Sequence, residues 1–488
     1  MALPVDDARR AVMALQRFGL GAKASGLTSD LAKDPRALLL AEINEPAKLL
    51  IEDGALLPSS MALARHFEEA EATRKARQSN RDDLREMNVA RARVGESGKA
   101  VDTQPSMSAA PQAPSSMPPI EQSIYRNEAM ARIRKAQEPS IGFGERLVLF
   151  WSNHFCVSVA KGQIARATAG ALEREAIRPH VFGKFVDMLL AVEKHPAMLF
   201  YLDNRQSVGP ASRAGRNRSL GLNENLAREI LELHTLGVKG GYTQTDVTNL
   251  ARIITGWTFA GAAEKLGPVG TFVFAPNAHE PGGQIVLGKT YPDTGVTQGE
   301  AALRDIARHP ATALHIACKL VQHFVADEAP PPILIERLAK VFRDSDGDLA
   351  EVSRALVTHE AAWKGEAVKL RAPYEWLAAI TRFSGVPKEV GQLLQPLNVM
   401  GAPLWAVPGP NGYPDSTAHW ASPESLRSRL DLSAVMARRL GDRFNPSDLA
   451  EALFDAMLSP ETAQAIRRAE SKPQGLAILL MSPEFQRR

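Results

Sequence analysis

Cysteine is almost absent, with two among 488 residues. Cys156 and Cys318 lie in the apolar stretches FCVSV and IACKLV, so a disulfide framework and a thiolate zinc site are excluded and two buried thiols are expected. No run of ~18 consecutive apolar residues occurs, so no helical membrane span is expected. The start, MALPVDDARRAVMALQRF, lacks the apolar core of a signal peptide, which gives a cytoplasmic expectation and leaves a periplasmic or secreted one open. Neither sign of charge dominates: 58 basic residues face 55 acidic ones, a net charge of +3. With the two signs interspersed and no reading motif, nucleic-acid binding has no footing. No Gly-x-Ser-x-Gly elbow supports a serine hydrolase, and dinucleotide and nucleotide loops are read as absent; RFGLGA at 17–22 lacks the glycine spacing and the preceding strand.

What is present is a soluble globular composition, 44% hydrophobic and 23% charged, patterned at helical period. The expected fold is mainly α: one large multi-helix globular domain over residues 1–488, with two helical lobes meeting at a cleft as the alternative. A helix is predicted from Asp6 or Asp7 to Phe18 and another over Pro35–Asn44. Residues 61–94, rich in Glu, Arg, Lys and Ala, read as an exposed helical arm. Residues 95–121 are rich in Pro, Ser and Ala and read as a mobile loop, so that 75–121 forms an insertion. TFVFAPNAHEPGGQIVLGKTYPDTG alternates between turn signals, which predicts a small β-hairpin near 270–290. Three helices are expected between Ala301 and Phe342. Asp344-Ser-Asp346-Gly-Asp348 misplaces the glycine of a calcium loop, and Asp348 with Glu351 suits a helix start.

The densest run of placed polar residues is Asn223–Phe259. One helix is predicted over 224–236, closed by Gly237, and a second is capped by Thr243 with Asp246 and stopped by Gly256. On the first, Asn225, Glu229 and Glu232 fall within roughly 60° of each other, flanked by Glu224 and Arg228. That stripe is either a solvated face with an Arg228–Glu232 pair or a functional one. His234 falls in the opposite, apolar arc, so it cannot join the carboxylates on a straight helix and reads as a core histidine.

Three further places gather chemistry. GFGERLVLFWSNHFCVSV is apolar at nearly every angle, a helix buried all round, yet carries Ser152, Asn153 and His154. Asn153 and His154 must either latch a neighbouring backbone or face a polar cavity. His279 and Glu280 stand on the hairpin's turn. Trp405, Tyr413, His419 and Trp420 belong to a Pro/Gly-rich loop able to wall a cleft for a small-molecule, carbohydrate or peptide ligand. Arg213, Arg216 and Arg218 form a basic loop that reads as solvated surface.

RFGLGA, ERLVLFWSNHF, YLDN, the Asn223–Trp257 run, His279-Glu280 before IVLGK, HPATALHIACKLVQHFV and LLMSPEFQRR together resemble the uncharacterised bacterial domain-of-unknown-function 1800 family along almost the whole chain. The resemblance implies no reaction; it implies frequent export and a companion sulfatase-like protein. Relatives carry Asp where Glu280 stands, a change that keeps the carboxylate.

Two functions follow from these residues. One is an enzyme in which His154, Glu229, Glu232 and His279 are catalytic and Asn153, Asp203, Asn225, Arg228 and Trp420 hold substrate. A divalent metal would be bound by His154, Glu229, His279 or Glu280, with metal-free acid–base catalysis as the variant. The other is a helical scaffold or partner of a sulfatase-like protein, the same residues forming a buried network.

Overall fold

The computed structural model describes residues 5–95, 118–217, 221–263, 265–365 and 367–488. Helix Phe143–His154 runs through the core, with Phe143, Leu147, Val148, Phe150 and Trp151 all buried. Its first turn is capped from a distance: the Glu42 carboxylate accepts the backbone N–H groups of Ile141, Gly142 and Phe143 at 3.0, 2.9 and 2.7 Å. A carboxylate there satisfies orphan donors and complements the helix dipole. The polar side of this helix is paired as well. Glu145 holds Arg178 through two bonds of 2.7 and 3.0 Å, while Glu173 takes Arg178 at 3.0 Å, Arg132 at 2.8 Å and the Ser152 hydroxyl at 2.7 Å.

Around that axis pack helices Ile120–Lys135, Gln163–Leu172, Pro310–Phe324 and Pro373–Ser384. One contiguous apolar cluster extends from Ala11 to Phe485. No described helix is long and apolar enough to cross a membrane. The predicted arm is a single helix, Ser59–Gly95, exposed along its outer part. Of the loop expected over 95–121, residues 96–117 lie outside the described residues, as does Arg218 of the basic loop.

The expected single hairpin is two small antiparallel sheets. Trp257–Phe259 pairs with Phe272–Phe274, and Gln284–Val286 with Lys289–Tyr291. The helix before Gly256 thus gives way at once to a strand, because Gly256 turns the chain at φ +83°. The second sheet also spells Gly283-Gln-Ile-Val-Leu-Gly288-Lys289-Thr290, the spacing of a phosphate loop, which the sequence reading passed over. Its context is wrong for one: a hairpin stands where a strand–loop–helix is needed, and Lys289 is paired with Asp305 at 2.5 Å.

The segment read as one helix over 224–236 is Asn225–Glu229 followed by a π-helical turn, Ile230–His234. That wider turn closes on the core: His234 is buried and its Nδ1 meets Glu193 Oε1 at 2.7 Å. The Arg228–Glu232 pair does not form. Arg228 bonds Glu224 at 3.1 Å and Gln244 at 2.9 Å, and Glu232 accepts from the Tyr242 hydroxyl at 3.3 Å. The following helix, Gln244–Ile253, carries the expected Thr243–Asp246 capping box, and Asp348 caps Leu349–Thr358.

Candidate functional site

A cavity of about 470 Å³ opens between the end of helix Phe143–His154, helix Pro310–Phe324, the start of Pro373–Ser384 and the loop over 401–420. Phe150, Tyr374, Trp405, Tyr413 and Trp420 give it aromatic walls; Asn153, His154, Cys156, Lys319, His323, Glu375 and Asp415 give it polar points. An apolar hollow with few convergent polar groups is the usual form of a small-molecule site.

The loop is tied to the helix by Asn153. Its amide donates to Tyr413 O and accepts from Tyr413 N, both at 2.8 Å. Gly412 makes this closeness possible, since a Cβ there would lie 2.5 Å from Asn153 O and φ is +75°. Trp420 donates its indole N–H to Pro414 O at 2.8 Å. Trp405 holds a left-handed backbone, φ 49°, while its carbonyl accepts Val159 N at 2.7 Å, a strained wall residue held in place by its neighbours.

One end of the cavity is a closed ion network. Glu375 takes Arg146 at 3.1 Å and Arg488 at 2.7 Å; Asp415 takes Arg488 at 3.3 Å, Lys369 at 3.4 Å and His323 Nδ1 at 2.7 Å. His323 Nε2 lies 3.1 Å from an Arg146 N–H, so the ring is a neutral one that donates through Nδ1 and accepts through Nε2. Burial pulls the His323 pKa down to about 4, against the pull of Asp415. For Glu375 burial acts upward, but Arg146 and Arg488 outweigh it and hold the carboxyl at about 2. Asp415 is likewise held below the ordinary carboxylate range by His323, Lys369 and Arg488 against burial.

The groups beside this network are different. Lys319, on helix Pro310–Phe324, lines the cavity without a hydrogen bond or ion pair, and burial lowers its pKa to about 8 despite Cys156 and Asp415 nearby. His154 places Nε2 3.1 Å from His234 O, so that nitrogen carries the proton. Its Nδ1 is buried without a partner, and burial, with Lys319, keeps the ring neutral. The hydroxyl of Tyr374 and the indole N–H of Trp405 are also buried and unpartnered. Cys156 donates to Pro410 O at 3.2 Å, and burial pushes its thiol up to about 12 although Lys319 pulls the other way; it is a packed thiol rather than a nucleophile.

Of the residues singled out in the sequence, the structure brings Ser152, Asn153, His154, Cys156, Trp405, Tyr413 and Trp420 to this cavity. Asp203, Asn225, Arg228, Glu229, Glu232, His279 and Glu280 do not line it. Glu229 is half-buried with no hydrogen-bond partner, its carboxyl raised by burial against the pull of His234. Glu232 faces Tyr242, and Asn225 and Arg228 stay in the polar stripe with Asn223, Glu224 and Gln244. Asp203, in the left-handed region at φ 58°, pairs with Lys161 at 2.5 Å. His279 donates from Nδ1 to Thr255 O at 3.0 Å and has Asp293 3.4 Å from Nε2. Glu280 accepts Ala211 N at 2.8 Å and fixes the loop after Asp203.

Among the described residues no three His, Cys, Asp or Glu side chains gather closely enough to hold a metal ion. His154, Glu229, His279 and Glu280, the candidate ligands, are held apart: each bonds a different segment's backbone or, for Glu229, none. Lys319, Tyr374, Glu375 and Asp415 were missed by sequence reasoning. Lys319 had a signal: Ile316, Leu320 and His323, spaced three and four apart, mark a buried arc, and Lys319 is beside it.

Comparison with protein families matches residues 13–487 to the family described as protein of unknown function, DUF1800. No curated protein and no solved structure matches the chain.

Proposed function

The chain belongs to the DUF1800 family, and on that premise we propose that it is an enzyme acting on a small organic molecule held in the cavity lined by His154, Lys319 and Asp415. The ligand has an apolar or aromatic body and an oxygen-bearing head. One observation carries this reading: Lys319, His154, Tyr374 and Trp405 share one cavity, and each keeps a polar atom without a protein partner. Buried polar groups without partners are uncommon and costly, so three of them beside the unpaired, half-buried Lys319 around one aromatic-walled hollow support a place where a ligand completes the bonding.

The division of labour follows from the chemistry of each group. Lys319, Tyr374 and Trp405 are donors suited to a carbonyl or carboxylate oxygen; His154 Nδ1 is an acceptor and the one base among them. The ion network beside them pairs Glu375, Asp415 and both His323 nitrogens and serves to position the wall, with Asn153 holding the loop closed on the cavity.

The test uses 3-phenylpropionate, which has an aromatic body and a carboxylate head. At about ten times its dissociation constant the ligand should raise the melting temperature of the full chain by at least about 1 °C, and the rise should be absent in Lys319→Met. Equal rises in both proteins, or none in either, would overturn the proposal.

A further inference from the structure

We infer that Lys319 forms an imine with the carbonyl group of an aldehyde or ketone bound in this cavity, which deepens the proposed function and rests on it. The geometry separates Lys319 from the other cations at the pocket and in the ion network beside it. Arg132, which lines the cavity, and Arg146, Lys369 and Arg488 of the network all have carboxylate partners within 2.7 to 3.9 Å, whereas Lys319 has none and lines the cavity together with Phe150, Trp405 and Tyr413. A lysine meant only to hold an anion gains from staying charged. One with no carboxylate in contact, where burial outweighs the pull of Asp415, is placed to react as the free amine.

The burial that lowers its pKa to about 8 leaves about one amine in ten neutral at pH 7, against about one in 2,500 for an ordinary lysine. In the reaction the amine nitrogen adds to the carbonyl carbon and a proton passes from nitrogen to oxygen. The carbinolamine then loses water as the C=N bond forms, so one water leaves for each bond made. His154 Nδ1, the acceptor that also borders the cavity, takes the proton from nitrogen and returns it to the departing hydroxyl. The apolar lining restrains the reverse hydrolysis.

Trapping with 3-phenylpropanal and cyanoborohydride at pH 7, followed by tryptic mapping of the full chain, tests this. The expected result is alkylation at Lys319, read as an uncut bond after that residue, at least about tenfold faster than at exposed Lys239. Its rate should rise with pH around a midpoint of about 8, and it should fall in His154→Gln while 3-phenylpropionate still raises the melting temperature. Lys319 reacting no faster than Lys239 overturns the inference. If 3-phenylpropionate binds under those conditions, the cavity reading survives and only the imine fails; if it does not, both fail.

Discussion

Glu375 and Lys319 line the same cavity, yet their charges are treated in opposite ways. Glu375 is buried between two guanidinium groups and accepts a backbone N–H from Ala372 at 3.0 Å. Lys319 faces the hollow with nothing bonded to it. The first end satisfies the rule that a buried charge must be paired; the second departs from it. A folded protein tolerates such a departure where the unpaired group has a task, and the proposed chemistry at Lys319 rests on that contrast.

The largest expected effect lies at the paired end. Glu375→Leu leaves Arg146 and Arg488 buried with fewer counter-charges, and should destabilise the protein by about 3–5 kcal/mol in urea unfolding at pH 7. Because the Glu375 pKa is depressed to about 2, its stabilisation is complete above the ordinary carboxylate value of about 4 and is lost as pH falls toward 2. Glu375→Gln should therefore flatten the acid limb of the stability–pH curve. An unchanged limb would mean the pair contributes little.

Next in size is the latch between the two ends. Asn153→Ala removes both bonds to Tyr413 and leaves half-buried backbone groups unmet, a loss of about 1–2 kcal/mol by the same measurement. It should also weaken 3-phenylpropionate binding, since the loop carrying Trp420 is released.

At the unpaired end the sign reverses. Lys319→Met should stabilise the protein at pH 7, by about 1–2 kcal/mol, because it removes a desolvated ammonium with no partner. A lysine whose folded pKa is lowered to about 8 resists a proton that the unfolded chain accepts, so wild-type stability rises with pH from about 8 to about 10.4. The gain of the variant should shrink across that window and vanish above it. Destabilisation instead would show that Lys319 is a structural group after all.

The smallest effect concerns Cys156. With its thiol pushed up to about 12, it should react with iodoacetamide at pH 8 at least about tenfold more slowly than a free cysteine. Removing Lys319 should slow it a further few-fold, read by peptide mapping. No change on removing Lys319 would mean that the amine and the thiol do not sense each other.

Legibility in the sequence followed the range of the forces involved. Asn153, His154 and Trp420 were found because a polar side chain in an all-round apolar helix, and an aromatic in a Pro/Gly loop, are anomalies visible locally. His234 reads as a core residue by its angle on the wheel, and it is buried against Glu193. The carboxylate stripe of Glu229 and Glu232 looked equally promising, and its distance from the cavity could not be read from spacing, which fixes the face of a helix but not its neighbour. Glu375 and Asp415 are ordinary in sequence; they matter because Arg146, Lys369 and Arg488 come from other segments.

The sequence by itself determined the helices and their caps, the buried character of helix Phe143–His154 and the family, because hydrophobic period, capping residues and turn glycines act over a few positions. The tertiary structure alone decided which polar groups meet. Pairing depends on contacts between residues separated by up to hundreds of positions, as Arg146, Glu375 and Arg488 are, and only the folded arrangement leaves Lys319 with its charge unanswered.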